Sequence, residues 1–510
     1  MTLLASPQAA SVGLRWTNNY MMDMAVAGLL AFCHKADLPG VDINDLPAQL
    51  TADDLKTFQT WAEQHYFAPE LTSWISVVFT SNFLNPSFTL EKKKEVLREI
   101  LTSYQRPNLL GVPCAFFPEL PAQQRVARDL LPMLMGRGPM NFYPDGQPGL
   151  PLSGLAITAL HGLSVAAPLV SGRALLVDAD DHALLLEVAG QWVGELRTRA
   201  ELSLMKKERL AIWAAARTRL VEALREVMKK RHLVNQTVAG HTGSATIYHL
   251  SNSGQGPDIQ IYTLTQPAIA FLELAERNFK AEWKALTSAA SQPADKGKDE
   301  QHGTRNNLDE ALLSLPDNAQ NFLRRFLMPP FRHTVFLPEP KRSKKDKKTD
   351  ASQVAAPEPL NLARVWGLSA LFLREVVGMD KGRIKAIEEL GDRLGDWIVE
   401  ENDMPLFRSL YEARGAGPLR HLLLKATLNK AKKDAASGMS KDDQDLLITD
   451  DAYLKVFMEA DEVARADFTL ARDLLKMRVI QRLHAADLFN KNKGNPVLQQ
   501  IELTDEQGDQ

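Results

Sequence analysis

From residue 360 to residue 490, apolar side chains recur at helical spacing, and that constrains the second half of the chain to a helical bundle. Leu362, Val365, Phe372 and Val376 make one seam; Ile384, Ile387, Leu394 and Ile398 make a second, with Gly391 inside it. Leu419, Leu422, Leu423 and Ala426 form a third, Tyr453, Val456, Phe457 and Ala460 a fourth, and Phe468, Ala471, Leu475, Val479 and Leu483 a fifth. Residues three and four apart share a helix face, so each seam is a stripe that must be buried against another. Short polar connections predict an up-and-down bundle of four or five such helices. The tail, 491–510, is polar and is expected to fray.

The first 337 residues mix helix and strand patterns, so the fold class is α+β, mostly helical: a large mixed N-terminal module (1–337) followed by the C-terminal bundle (360–490). Asn19 to His34 reads as an apolar helix, and Lys92 to Ser103 as a short helix entered from NPSF. RALLVDADDHALLLEV (173–188) predicts two strands joined by Asp-rich turn residues. Arg199 to His232 predicts one helix whose basic face (Lys206, Lys207, Arg217, Arg219, Arg225, Lys229, Lys230, Arg231) is solvated. ATIYHL (245–250) and IQIYTL (259–264), separated by SNSGQGPD, predict a β-hairpin with a long polar tip.

Two polar stretches punctuate the chain, 291–307 and 338–359. The second carries six basic side chains within eight positions: Lys341, Arg342, Lys344, Lys345, Lys347 and Lys348. A run of this kind is either a linker kept soluble by its charge or a mobile grip on phosphates.

Bulk composition does not decide between these. With 510 residues, net charge −3, 45% hydrophobic and 24% charged residues, the chain is ordinary globular material, and a nucleic-acid role would need local patches. Two cysteines, Cys33 and Cys114, leave no disulfide framework and suit a reducing cytosol. The N-terminus lacks the pattern of a signal peptide. His161, Ser164 and Pro168 interrupt the most apolar stretch, 154–172, so no membrane span is expected. No Walker A, H-E-x-x-H, G-x-S-x-G or strand-linked G-x-G-x-x-G sequence occurs. The residues point to a binding protein with no catalytic set and no cofactor. The rivals are a Cys114-dependent hydrolase and a scaffold without nucleic-acid contact.

Several segments, in order, resemble one family: the large subunit of type I CRISPR surveillance complexes (Cascade), in the C-x-x-C–C-x-x-C group of type I-A and I-B systems. They are TNNYMMDMAVAGLLAF (17–32), VVFTSNFLNPSF (77–88), LSGLAITALHGLSVAAPLVSGRALLVDADDHALL (152–185), the hairpin, RVWGLSALFLREVVGMDKGRIKAIEELGDRLGDWI (364–398) and DDAYLKVF (450–457). The cysteine motifs depart from the family pattern. The first should fall at VPCAFF, where Cys114 is followed three residues later by Phe117; the second falls where Ser153 and Ala156 stand. Tetrahedral zinc needs four ligands, so no metal is expected, with Phe116 and Phe117 packing in its place.

The resemblance implies a non-catalytic, cytoplasmic subunit that reads the short motif flanking a DNA target (the PAM) and stabilises the R-loop. Implied partners are guide RNA, other Cascade subunits, double-stranded target DNA and its displaced strand, and an effector nuclease-helicase or transposition machinery. Met328 and Met379 bracket the bundle's start, where some family members begin a separate small subunit. Candidate base readers are Asn18 and Asn19, and Asn252, Ser253 and Gln255 at the hairpin tip; the alternative for each is helix capping or turn chemistry. Candidate phosphate contacts are the lysine run and Arg364, Arg374, Arg383, Arg393 and Arg420, the alternative being linker charge or a solvated helix face.

Overall fold

The computed structural model describes residues 11–79, 84–106, 110–134, 147–213, 215–233, 243–252, 257–293, 301–302, 304–335, 360–437, 446–460, 463–492 and 495–498. The protein is a mostly helical α+β chain. It forms two compact units: Met1–Glu273 with Ser291–Leu313, and Leu274–Ala290 with Ser314–Gln510. The division at Leu313/Ser314 lies ahead of the boundary at 337 expected from the pattern. Leu274–Ala290 joins the bundle because Trp283 and Leu286 are buried there and Glu282 pairs with Arg364 at 2.8 Å. The 338–359 stretch lies outside the described residues, as does 499–510.

The first unit is built on the Arg173–Ala179 strand. It runs antiparallel to Leu169–Val170 on one side and to Ala245–Ser251 on the other. Ala245–Ser251 pairs in turn with Asp258–Leu264 in the hairpin that the sequence predicts. Ile212–Trp213 and Gln301–His302 extend the opposite edge in parallel. The Tyr20–Phe32 helix is buried on nearly every side, which explains its largely apolar sequence; the buried exception, Asp23, accepts from the Thr17 amide and hydroxyl. Tyr20 stacks on Tyr248 of the hairpin with ring centroids 3.8 Å apart, and burial pushes its phenol up to about 12.

Two expectations fail here, for identifiable reasons. Residues 173–188 hold one strand, not two. Asp181 accepts a hydrogen bond from the Ala183 amide at 2.8 Å and starts the His182–Lys206 helix. Leu184, Leu185, Leu186 and Val188 are all buried along it, so the helix reads as an unbroken apolar run that periodicity cannot separate from a strand. The helix expected over 199–232 is two. The first stops at Lys207, whose φ is 57°, and the second spans Ala216–Leu233. Between them Ile212–Trp213 joins the sheet, its indole held between the Arg199 and Arg219 guanidiniums at 4.4 and 4.7 Å. Part of the basic face is also spoken for: Arg219 pairs with Glu195, and Arg231 with Glu187 at 2.6 Å.

In the second unit the five predicted seams lie on the helices Leu362–Glu375, Lys381–Glu401, Ala416–Ala436, Asp450–Phe457 and Phe468–Ala485. A further helix, Met404–Glu412, had no distinct seam in the sequence. Ala460 ends the fourth seam in a short β-ribbon, Met458–Ala460 against Val463–Ala464. Phe468–Ala485 is the central element and buries even Arg472, Asp473 and Lys476. Their charges are satisfied locally: Arg472 and Arg324 both reach Asp473, at 2.6 and 2.8 Å, and Lys476 donates to the carbonyl oxygens of Tyr411 and Ala413. Lys381–Glu401 lies close against it because Gly391 has no side chain; a Cβ there would stand 2.7 Å from Cβ of Arg478.

Candidate nucleic-acid interface

The most suggestive cleft in the second unit forms at a chain corner. The Gln266–Asn278 helix ends, and Phe279, with φ −130° and ψ 35°, precedes the Lys280–Ala289 helix. The corner leaves the Phe279 ring half-buried against Gly367, where an added Cβ would meet the ring at 2.9 and 3.1 Å. Arg364 fixes the corner from the other side. Its Nε donates to Glu282 at 2.8 Å, its Nη2 donates to the Asn278 carbonyl at 2.6 Å, and its guanidinium carbon lies 5.4 Å from the ring centroid.

A cleft of about 330 Å³ opens beside the ring, with Gly367, Ala370, Leu371 and Ile384 as its apolar walls and Arg374 and Lys381 at its edge. Arg374 meets its sequence neighbour Glu375 at 2.6 Å, an exposed pair of small energetic weight. Lys381 is exposed and has no acidic partner among the described residues. Arg277 and Lys280, exposed on either side of the Asn278–Phe279 corner, add two more cations. Aromatic face, apolar wall and cations at the edge are the parts needed to stack a base and hold its phosphates. The lining holds no thiol, imidazole or carboxylate among the described residues.

The structure sorts the sequence candidates. Arg364 and Arg374 come together at this cleft. Arg383 does not: it forms a bidentate pair with Asp467 at 2.6 and 2.8 Å and donates to the Val456 carbonyl, so its donors are used inside the fold. Arg393 is exposed with no ion pair among the described residues, and Arg420 is exposed over the Tyr453 ring at 6.0 Å. Lys341, Arg342, Lys344, Lys345, Lys347 and Lys348 lie outside the described residues, as do Ser253 and Gln255.

Asn252, expected at an exposed tip, is fully buried. Its Nδ2 donates to the Arg128 carbonyl at 3.2 Å and its own amide donates to the Val77 carbonyl at 2.8 Å, which fastens the end of the strand to two other segments. Asn19 is spent on capping, its Oδ1 accepting from the Met21 and Met22 amides at 3.1 and 3.2 Å. Asn18 is exposed, at a φ of 57° that asparagine tolerates. Sequence reasoning missed Phe279, Lys381, Arg277 and Lys280; the tetrapeptide Arg277–Asn278–Phe279–Lys280, basic residues around an aromatic one, was the available signal.

Outside this cleft, several groups that could suggest catalysis are buried, whereas Cys33 is half-buried and lines a cleft of about 470 Å³ with His34, Asp54 and Arg197. Cys114 is buried, and so are Phe117, Ser153 and Ala156, while Phe116 is partly exposed. Ser153 Oγ accepts from the Ala156 amide at 3.2 Å as a helix cap. Burial, then the nearby Asp54, pushes the Cys33 thiol up to about 12, away from the reactive thiolate. Tyr66 Oη meets Ser164 Oγ at 2.8 Å and the His161 carbonyl at 3.2 Å, all inside the first unit, where burial lowers His161 to about 3. Among the described residues no three of His, Cys, Asp and Glu gather as metal ligands, and no helix is long and apolar enough to cross a membrane. Comparison with known proteins finds no matching family model, curated protein or solved structure.

Proposed function

We propose that this chain is the non-catalytic large subunit of an RNA-guided DNA-targeting complex of the Cascade type. In this reading the first unit reads the motif flanking the target and the second holds displaced single strand. Two things support it: the ordered series of family-like segments along the chain, and the Phe279 cleft. The cleft is the observation that carries most, because it joins a half-buried aromatic ring to cations at its edge, of which Lys381 has no acidic partner among the described residues. Guide pairing would supply sequence specificity, leaving the protein to hold backbone and stack bases. Co-expression with guide RNA and the repeated backbone subunits tests the assignment. The chain should co-purify with the RNA-bearing complex; a chain that stays RNA-free beside an otherwise assembled complex would overturn it.

A further inference from the structure

The Ala416–Ala436 helix is poorly covered for its length. Of its 21 residues, Leu419, Leu423 and Ala426 are buried. Leu424 and Leu428, one turn apart, remain 56% and 53% exposed. Leu446 (52%), Leu454 (37%) and Val463 (58%) are exposed nearby in the sequence, so half of the ten large apolar side chains exposed among the described residues fall between 424 and 463. Scattered exposed leucines need no explanation, whereas a concentration of them marks an interaction surface. A groove of about 260 Å³ runs between this helix and the Asp450–Phe457 helix, floored by Leu423, Leu424, Thr427, Ile448, Tyr453 and Leu454.

The charges around the groove indicate its occupant. Lys430 and Lys433 of the same helix are satisfied by Asp434 and Glu401. Arg420, Lys425 and Lys432 are exposed and have no acidic partner among the described residues, and His421 is exposed beside them. Helical spacing sets Arg420, Leu424, Leu428 and Lys432 in one row, with His421 and Lys425 in the next. Asp450 and Asp451 supply negative charge at the first turn of the opposite helix, where the helix dipole favours it. An aliphatic floor with unspent cations along one wall and Asp450 and Asp451 on the other fits an apolar stripe with carboxylates along one flank.

We infer that this groove docks an acidic amphipathic helix of a partner protein. Its floor is mainly aliphatic and its one aromatic residue, Tyr453, is buried, so it lacks an accessible ring on which nucleic-acid bases stack. The inference is independent of the nucleic-acid reading and removes Arg420 from the displaced-strand candidates.

The test uses the full chain and a fluorescein-labelled helical peptide with leucines at every third and fourth position and glutamates along one flank. A control peptide carries lysine in place of each glutamate. The glutamate peptide should bind, at least tenfold more weakly to Leu424→Glu/Leu428→Glu. It should also lose at least tenfold to Lys425→Glu/Lys432→Glu, which should come to prefer the lysine peptide. All four positions are exposed, so thermal melts of both variants should match the parent; the charge swap keeps the test decisive if the leucine variant misfolds. Equal binding of the two peptides to the parent would overturn the inference, as would unchanged binding by the leucine variant. Self-association of the parent that Leu424→Glu/Leu428→Glu abolishes would overturn it in favour of a second copy. Loss of single-stranded DNA binding in that variant would overturn it in favour of nucleic acid.

Discussion

Changing Arg374 and Lys381 together to glutamine should weaken single-strand binding in a way that salt reveals. Both side chains stand at the edge of the Phe279 cleft, and neither is held by a strong internal pair. Each phosphate truly neutralised contributes about 0.9 to the slope of log affinity against log salt, so losing two contacts lowers the slope by about 1.8. Between 50 and 200 mM salt, that difference changes relative affinity roughly tenfold. Phe279→Leu should behave differently. It keeps apolar packing against Gly367 but removes the stacking face, worth about 1 to 3 kcal/mol, so affinity falls roughly 5- to 150-fold at every salt concentration with the slope unchanged. Surface changes rarely move stability by more than about 0.5 kcal/mol, so the double glutamine variant should melt with the parent. Arg383→Gln is the contrast: breaking its partly buried pair with Asp467 should lower the melting temperature and leave the salt slope intact. The assay is fluorescence anisotropy of a labelled single strand with the assembled complex at several salt concentrations. Superimposable salt plots for the parent and the Arg374→Gln/Lys381→Gln variant would refute the reasoning.

Four further outcomes are expected. Asn252→Ala should destabilise the first unit by about 1 to 3 kcal/mol, because it deletes a fully buried side chain and its hydrogen bond to the Arg128 carbonyl; a urea midpoint equal to the parent's would contradict the burial argument. His161 has its folded value lowered from 6.5 to about 3, so the unfolded chain takes up the proton first and the neutral ring's contribution, intact above 6.5, is lost as pH falls toward 3. His161→Gln should therefore lose less stability than the parent between pH 6.5 and 5, by roughly 2 kcal/mol; parallel urea midpoints at the two pH values would sink this. Metal analysis of the purified chain should find well under one zinc per chain, since Phe117, Ser153 and Ala156 occupy the expected cysteine positions, and zinc retained stoichiometrically after mild chelation would reverse that reading. Neutralising Lys341, Arg342, Lys344, Lys345, Lys347 and Lys348 should lower the salt slope of DNA binding by roughly 2 to 3, equally for matched and mismatched flanking motifs; an unchanged slope would make the run a linker.

The bundle and the hairpin were legible because their signals are local and repeated. Five seams, each several residues long, set the helical period, and the hairpin's two β-branched runs pair from Ala245↔Leu264 to Ser251↔Asp258. The failures share a cause. Leu184 to Leu186 face protein on more than one side, so the helical period disappears into a solid apolar run. Between Lys207 and Ala216 no glycine or proline announces a break; the chain turns because Trp213 is drawn into the sheet between two arginines, one of them held by Glu70 far away in sequence.

The candidate site divides in the same way. What a polar side chain can do depends on what already holds it, and for this chain the holder is often remote. Arg383 is met by Asp467, and Asn252 by the carbonyl of Arg128, 84 and 124 residues away. Nothing in the local sequence distinguishes Arg383 from Arg374, since both sit on helices among apolar seam residues. The fold separates them by packing Arg383 against the start of the Phe468–Ala485 helix and leaving Arg374 at the edge of a cleft. The Arg277–Asn278–Phe279–Lys280 corner is the opposite case, with its basic and aromatic residues contiguous. It falls at a helix junction well before the lysine run, so charge density does not mark it; its signal is cations on both sides of an aromatic residue.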